Sequence, residues 1–138
     1  MAAMRDDDYF CPLHRDVTAH LMRGMPPEQM RDADVVAVWG NNVTVSNLHL
    51  ARVIKAAREN GATLVVVDPK RTKIAEQAHL YLQIRPGTDV VLALALAAEL
   101  ERRGAFDRAF LDTWAEGLDA YMDEARRHSV DEALTVCG

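Results

Sequence analysis

The fold is decided by residues 34–68, which read DVVAVWGNNVTVSNLHLARVIKAARENGATLVVVD. The apolar runs 35–39 and 64–67 are rich in valine and carry no charge, which is typical of strands buried on both faces. Residues 48–60 have apolar side chains at helical spacing and charged ones on the other side, and Gly61 ends that helix. The stretch therefore predicts a strand–helix–strand unit.

The chain after this unit continues to alternate strands and helices. Residues 72–78 suit a short helix, and residues 80–84 are a third apolar run typical of a strand. Thr88 or Asp89 then caps a helix that ends near Arg103. Buried strands alternating with helices form a parallel sheet, so the sequence predicts a three-layer, Rossmann-like α/β fold with at least three parallel strands.

The same pattern predicts the domain organisation. Residues 32–138 are interpreted as one α/β domain, with its core at 32–103 and two or three short trailing helices at 104–138. Residues 1–31 show no clear pattern and are interpreted as an irregular or helical leader, in which Pro27 opens a helical turn. A chain of 138 residues is long enough for one domain with a real core and too short for two.

Composition limits the classes of partner. Apolar residues make up 49% of the chain, charged residues 27%, and the net charge is −5, so no basic surface for nucleic acid is predicted. The longest apolar run, residues 90–98, is too short to enter and cross a bilayer. Because the N-terminus also lacks the pattern of a signal peptide, we expect a cytoplasmic chain, although a larger enzyme containing it could be exported.

The leader contains one weak candidate for a metal site. Cys11, His14 and His20 have the spacing C-x2-H-x5-H, beside a short helix predicted at 16–23. A zinc site usually has four ligands, and no fourth ligand is evident. Metal binding is therefore not predicted, and no spacing in the chain argues for a nucleophilic catalytic triad.

Three polar loops follow the three predicted strands: residues 40–46, 68–72 and 85–89. The carboxyl ends of parallel strands lie at one edge of the sheet, so these loops are predicted to gather there around one ligand. Each leads into a helix, where free backbone amides and the helix dipole favour an anion. Each loop alone is weak evidence for a binding site, but the three together predict a nucleotide site.

The first loop combines a glycine with two amide side chains. Gly40 allows a ligand to approach the backbone closely, and Asn41 and Asn42 can donate and accept hydrogen bonds without adding charge. The loop matches neither the GxGxxG pattern nor the P-loop pattern, which disfavours an ordinary nicotinamide or ATP site. The alternative is a plain turn with a capping asparagine.

The other two loops contribute charged side chains. Asp68 follows a strand as a ribose-binding acid often does, and Lys70 and Arg71 suit phosphate. Alternatively, Asp68 makes a local turn bond and Arg71 is solvated. Asp89 at a helix start either caps free amides or accepts the N–H groups of a guanine edge.

Residues 33–42, 61–72 and 82–89 together resemble the dimethyl sulfoxide reductase family of molybdenum and tungsten oxidoreductases, which includes nitrate reductases and formate dehydrogenases. The three blocks have the family's order and spacing. The family often carries proline, aspartate and proline, respectively, where this chain has three other residues: Val43, His79 and Gln83.

The resemblance implies a domain that holds a cofactor. In that family this segment is one of two related α/β domains, each binding one molybdopterin guanine dinucleotide, with the metal between them. By resemblance, Trp39, Gly40, Asn41 and Asn42 would line the pyrophosphate and pterin side of the cofactor.

The resemblance also implies roles in the second and third loops. Asp68 and Arg71 would lie near the guanosine ribose. Gly87 and Asp89 would lie near the guanine, with Asp89 reading its N–H edge. Arg85 would support that loop or reach a phosphate.

Two hypotheses follow from the sequence. In the first, the chain is a fragment of a larger enzyme, because the cysteines of the family's iron–sulfur motif are absent and the metal ligand and substrate funnel belong to other domains. It would be inactive alone, would partner those domains, and could self-associate through its exposed apolar helix. In the second, it is a free-standing α/β domain that binds a mononucleotide or a protein and has no redox activity.

Overall fold

The computed structural model describes residues 27–138 of the chain. They fall into two compact units, the first ending at Leu82 and the second beginning at Gln83. The sequence-predicted helix at 16–23 and the triplet Cys11, His14 and His20 lie outside the described residues.

The first unit contains a parallel three-stranded sheet. Its elements are a 3-10 helix at Pro27–Asp32, β1 at Val35–Trp39, α1 at Val43–Ser46, α2 at Leu48–Glu59, β2 at Thr63–Val67, a 3-10 helix at Ala75–Gln77 and β3 at Leu80–Leu82. The strands lie in the order β1, β2, β3, and both pairings are parallel. The α/β fold class, the parallel sheet and the helical turn at Pro27 are thus confirmed.

The core of the first unit lies where α2 packs on the sheet. Val36 and Val38 of β1 join Leu64 and Ile54 in one buried cluster, and Leu64 is 0% exposed. Burying a side chain of this size stabilises the fold by about 1.5–3 kcal/mol. The prediction that β1 is buried on both faces is wrong, because Val36 and Val38 are buried whereas Val35 on the opposite face is 60% exposed.

The connection from β2 to β3 contains a shorter helical segment than the sequence predicted. Instead of a helix at 72–78, one 3-10 turn forms at Ala75–Gln77, and its C-cap Ala78 is already extended. This extension lets the main-chain N–H of His79 donate to the Leu64 carbonyl (2.8 Å) and the Leu64 N–H donate to His79 Nδ1 (2.8 Å). Hydrogen bonding to β2 therefore begins at His79, one residue before β3. β3 itself ends at Leu82, whereas the sequence predicted a strand to residue 84.

The second unit is helical. It contains α3 at Asp89–Arg102, α4 at Arg108–Trp114, α5 at Leu118–Ala125 and α6 at Val130–Cys137. The short trailing helices predicted at 104–138 form as three, with breaks at Gly117 and near Ser129. Two starts are fixed by side chains: Asp107 accepts from the Phe110 amide, and Ser129 accepts from the Glu132 amide, each over 3.0 Å.

Helix α3 has a buried side and an exposed apolar side. Leu94 packs with Met122 and Ala125 in the core of the second unit. On the other side, Leu96 is 42% exposed and Leu100 is 47% exposed. Across residues 27–138, the helices are all too short or too polar to cross a membrane.

Candidate functional site

The first two predicted loops start side by side. Trp39, the last residue of β1, is the register partner of Val67, the last residue of β2. The next residue, Gly40, donates its main-chain N–H to the Val67 carbonyl over 2.8 Å. The loop that begins at Gly40 and the loop that begins at Asp68 therefore share one edge of the sheet, as the parallel topology predicted.

Gly40 gives the first loop its turn. Its φ of 58° lies in the left-handed region that favours glycine, and a Cβ added there would meet no atom within 4 Å. The backbone at this position is thus bare on the side where a side chain would stand. A flat or bulky ligand group can approach the main chain closely there.

The asparagine side chains are tied to the residues that follow them. Asn42 Oδ1 accepts from the Thr44 hydroxyl over 2.9 Å, and Asn41 Oδ1 accepts from the Ser46 hydroxyl over 3.1 Å. These bonds occupy carbonyl oxygens, while the amide N–H donors are the groups suited to phosphate or pterin acceptors. The arrangement orients both amides.

The first loop is more structured than the sequence indicated. Residues expected to be a polar loop form the short helix α1, anchored by the fully buried Val43. Asn42 precedes α1 without a side-chain cap bond. The capping asparagine is Asn47, whose Oδ1 accepts from the Leu50 amide over 2.9 Å at the start of α2.

Asp68 is buried and held in a local turn. The residue is only 8% exposed, and its Oδ1 accepts from the Lys70 amide over 2.8 Å. Its own main-chain N–H donates to the Leu82 carbonyl of β3 over 3.1 Å. The local turn bond that the sequence offered as an alternative role for Asp68 is therefore present. It fixes the direction of the carboxylate.

Tyr81 was not predicted from the sequence, yet it contacts both Asp68 and Arg71 of the second loop. The Tyr81 hydroxyl donates to the Asp68 main-chain carbonyl over 3.0 Å, and the Arg71 guanidinium carbon lies 5.7 Å from the centre of its ring. Tyr81 stands in β3 opposite Val66. Its polar tip within an otherwise apolar strand is the one sequence signal that could have marked it.

The third loop belongs to the second unit, where Arg85 anchors it. The Arg85 amide donates to the Cys137 carbonyl over 2.8 Å, and its guanidinium donates to the carbonyls of Thr135 and Val136, each over 3.3 Å. These carbonyls close α6, where main-chain acceptors lack helical partners. Arg85 thus holds the loop to the end of that helix.

The turn after Arg85 leads directly into α3. Gly87 has a φ of 83°, and both the amide and the hydroxyl of Thr88 donate to the Arg85 carbonyl, over 3.2 and 2.7 Å. Thr88 is the N-cap residue, and Asp89 is the first residue of the helix. A carboxylate in that first turn interacts favourably with the helix dipole.

The chemistry of these loops suits an organic anion rather than a metal. Glycine backbone, amides, a buried carboxylate and guanidinium groups are the groups that bind phosphates and sugar hydroxyls. Within the described part of the chain, no three His, Cys, Asp or Glu side chains are grouped so that they could hold a metal ion.

Comparisons with known proteins point to one family. A family model described as molybdopterin oxidoreductase matches residues 9–109. The chain is 31% identical over 111 residues to the F420-dependent formate dehydrogenase subunit alpha of Methanocaldococcus jannaschii, covering 80% of this chain and 16% of that protein. It is 34% identical over 107 residues to the nitrate reductase of Shewanella frigidimarina, covering 77% of this chain and 11% of that protein.

A solved structure is similar as well. Acetylene hydratase from Pelobacter acetylenicus superimposes with a TM-score of 0.69 and 25% sequence identity, over 81% of this chain and 17% of that one. The chain spans between 11% and 18% of the length of the curated relatives it matches. These similarities agree with the resemblance carried by the three sequence blocks.

Proposed function

The chain belongs to the molybdopterin oxidoreductase family, and we propose that it binds the guanosine diphosphate portion of a molybdopterin guanine dinucleotide. It does so as one domain of a larger molybdenum or tungsten enzyme. The observation that carries this proposal is the junction of the first two loops. Gly40 donates to the carbonyl of Val67, directly before Asp68, so a bare backbone and a buried acid stand together at the ligand-binding edge of a parallel sheet.

The first loop would hold the pyrophosphate and pterin side of the cofactor. Gly40 offers the close backbone approach, and the oriented amides of Asn41 and Asn42 offer hydrogen-bond donors. Trp39, half-buried at the end of β1, would supply a ring face beside them. None of these side chains carries a charge, so they orient the cofactor without changing its charge.

The other two loops would hold the nucleoside. Asp68 would accept hydrogen bonds from the ribose, and Arg71 would lie beside the phosphate or ribose. Asp89 would accept both N–H groups of the guanine edge, with Gly87 giving the turn that presents it. The hydrogen bonds that Arg85 makes to the last helix support a role in holding this loop.

Binding and orientation are the chain's contribution. The bound cofactor supplies the electron-transfer chemistry, which a protein domain of this kind only positions. Relatives named formate dehydrogenase, nitrate reductase and acetylene hydratase carry out different reactions, and all of them share this segment. That supports a role toward the common cofactor rather than toward any one substrate.

The partners would be the remaining domains of the larger enzyme. The exposed apolar side of α3 that carries Leu96 and Leu100, one turn apart, is the surface such a domain would cover. Without those domains the chain should bind part of the cofactor but catalyse nothing, and its apolar side could pair with a second copy.

Calorimetry with GDP and ADP tests the proposal. We expect wild-type chain to prefer GDP by about tenfold, because one bidentate contact to a base edge contributes about 1–3 kcal/mol of discrimination. Asp89→Ala should remove the preference, whereas Asp112→Ala, an exposed aspartate of α4, should retain it. Equal affinity of the wild-type chain for both nucleotides would indicate a general mononucleotide domain instead.

A further inference from the structure

We propose that Tyr81 is a positioning residue that fixes the ribose- and phosphate-facing side of the site by holding Asp68 and Arg71 at the same time. The inference rests on the proposed function, because that function assigns ligand contacts to Asp68 and Arg71. In this role Tyr81 would contact neither the sugar nor the phosphate itself. It acts through the two residues that do.

The first contact fixes the backbone of Asp68. The Tyr81 hydroxyl donates to the Asp68 carbonyl over 3.0 Å, while the Asp68 amide donates to Leu82 of the same strand over 3.1 Å. Both main-chain groups of Asp68 are therefore held by β3. With Oδ1 also accepting from the Lys70 amide over 2.8 Å, the carboxylate has one defined direction in the turn.

The second contact restrains Arg71. Its guanidinium carbon lies 5.7 Å from the centre of the Tyr81 ring, within the range of a cation–π interaction. Arg71 is exposed, and an exposed arginine otherwise samples many rotamers. The ring limits those rotamers, so less side-chain entropy remains to be lost when the arginine meets an anion.

Tyr81 can serve both residues because its own position is fixed by the sheet. It pairs with Val66 in the parallel register of β2 and β3. Phenylalanine at this position keeps the ring and loses the hydroxyl, whereas leucine loses both. The two variants therefore separate the hold on Asp68 from the hold on Arg71.

The first test needs no ligand. Amide hydrogen exchange at Lys70 should be about fivefold to tenfold faster in Tyr81→Phe and Tyr81→Leu than in wild type, because the turn bonded to Asp68 opens more often. Exchange at the Leu64 amide, held by His79 Nδ1, should stay unchanged. Tyr121→Phe, a matched change at an exposed tyrosine of α5, should leave both rates as they are.

The second test uses GDP and 2′-deoxy-GDP in calorimetry. Tyr81→Phe should weaken GDP about fivefold to tenfold and reduce the preference for GDP over the deoxy form, since a misdirected Asp68 no longer reads the ribose hydroxyl. Tyr81→Leu should weaken both nucleotides further. Arg71→Ala combined with Tyr81→Leu should cost less than the two separate losses multiplied together, because both act on one contact.

The outcomes are distinct. Unchanged Lys70 exchange in both Tyr81 variants overturns the positioning role, whatever GDP does. GDP affinity in Tyr81→Phe and Tyr81→Leu that equals the wild-type affinity also overturns it. If Lys70 exchange is faster in both variants but the wild-type chain binds no GDP, the proposed function is overturned, and the hold of Tyr81 on the turn is established.

Discussion

Arg85 and Cys137 are joined by a main-chain hydrogen bond of 2.8 Å, from the amide of the first to the carbonyl of the second. The bond fastens a loop with a predicted role in cofactor binding to the last residue of α6. The guanidinium of Arg85 adds two bonds to the carbonyls of Thr135 and Val136. The turn at Gly87 therefore depends on the last helix as well as on its own residues.

Arg85→Ala should lower the free energy of unfolding by about 1 kcal/mol, because two carbonyls at the helix end lose a cationic donor. Urea unfolding measures the change. The free energy of unfolding of Arg85→Lys should lie between those of Arg85→Ala and wild type. Arg127→Ala removes an exposed pair with Glu124 and should change stability by less than about 0.5 kcal/mol. If Arg85→Ala weakens GDP binding without loss of stability, the arginine acts on a phosphate rather than on the loop.

His79 and Leu64 exchange two hydrogen bonds, each of 2.8 Å, one of them through Nδ1 of the ring. His79→Leu removes the side-chain acceptor of the Leu64 amide in a part-buried hydrogen bond and should cost about 1 kcal/mol. His79→Asp keeps an acceptor at the same place and should cost clearly less in the same urea titration. Equal losses in the two variants would show that packing of the ring, not its nitrogen, matters.

This pair also explains one departure from the family pattern. Aspartate is frequent in the family where His79 stands, and both side chains offer an acceptor within reach of a strand amide. The sequence pattern identified the position as unusual but not the bond it makes. That bond depends on how Ala78 extends the chain toward β2, which no periodicity encodes.

The strand–helix–strand unit could be predicted because its apolar spacing is local information. Which face of β1 is open could not, since Val35 and Val36 look alike in sequence and differ only in what covers them. The meeting of Gly40 and Asp68 followed from topology alone, because parallel strands end at one edge. Tyr81 escaped prediction because its contacts depend on a side-chain direction rather than on spacing.

Glu99 in the last turn of α3 should make stability depend on pH. Hydrogen bonds from Arg102 and Arg103 lower the pKa of Glu99 from 4.5 to about 2. A carboxylate whose pKa is lowered by folding stabilises the fold fully at a pH above its pKa in the unfolded chain. This contribution is lost as the pH falls through the pKa in the folded chain. The difference in the free energy of unfolding between wild type and Glu99→Gln should therefore be largest near neutral pH. It should shrink as the pH is lowered from 4.5 to about 2.

Urea midpoints over that range measure the difference for Glu99→Gln. Glu116→Gln, at an exposed position between α4 and α5, serves as the control for losing an exposed carboxylate and should change the urea midpoint little at neutral pH. A difference for Glu99→Gln that stays constant down to pH 2 would mean that its carboxylate does not draw on the two arginines.

Gly40 and Gly117 allow backbone strain to be separated from ligand contact. Their φ values are 58° and 72°, and a Cβ at either position would meet no atom within 4 Å. Alanine at each should therefore cost about 1–2 kcal/mol of stability through the left-handed backbone alone. Only Gly40→Ala should also weaken GDP, since only Gly40 lies in the proposed site.

Urea unfolding and calorimetry on both variants decide the matter. Asparagine tolerates the left-handed region better than alanine, so Gly40→Asn should recover part of the stability but not the affinity, because its side chain still occupies the space beside the backbone. If Gly117→Ala weakens GDP as much as Gly40→Ala does, the loss reflects general destabilisation. If Gly40→Ala binds GDP like wild type, the ligand does not approach the backbone at Gly40.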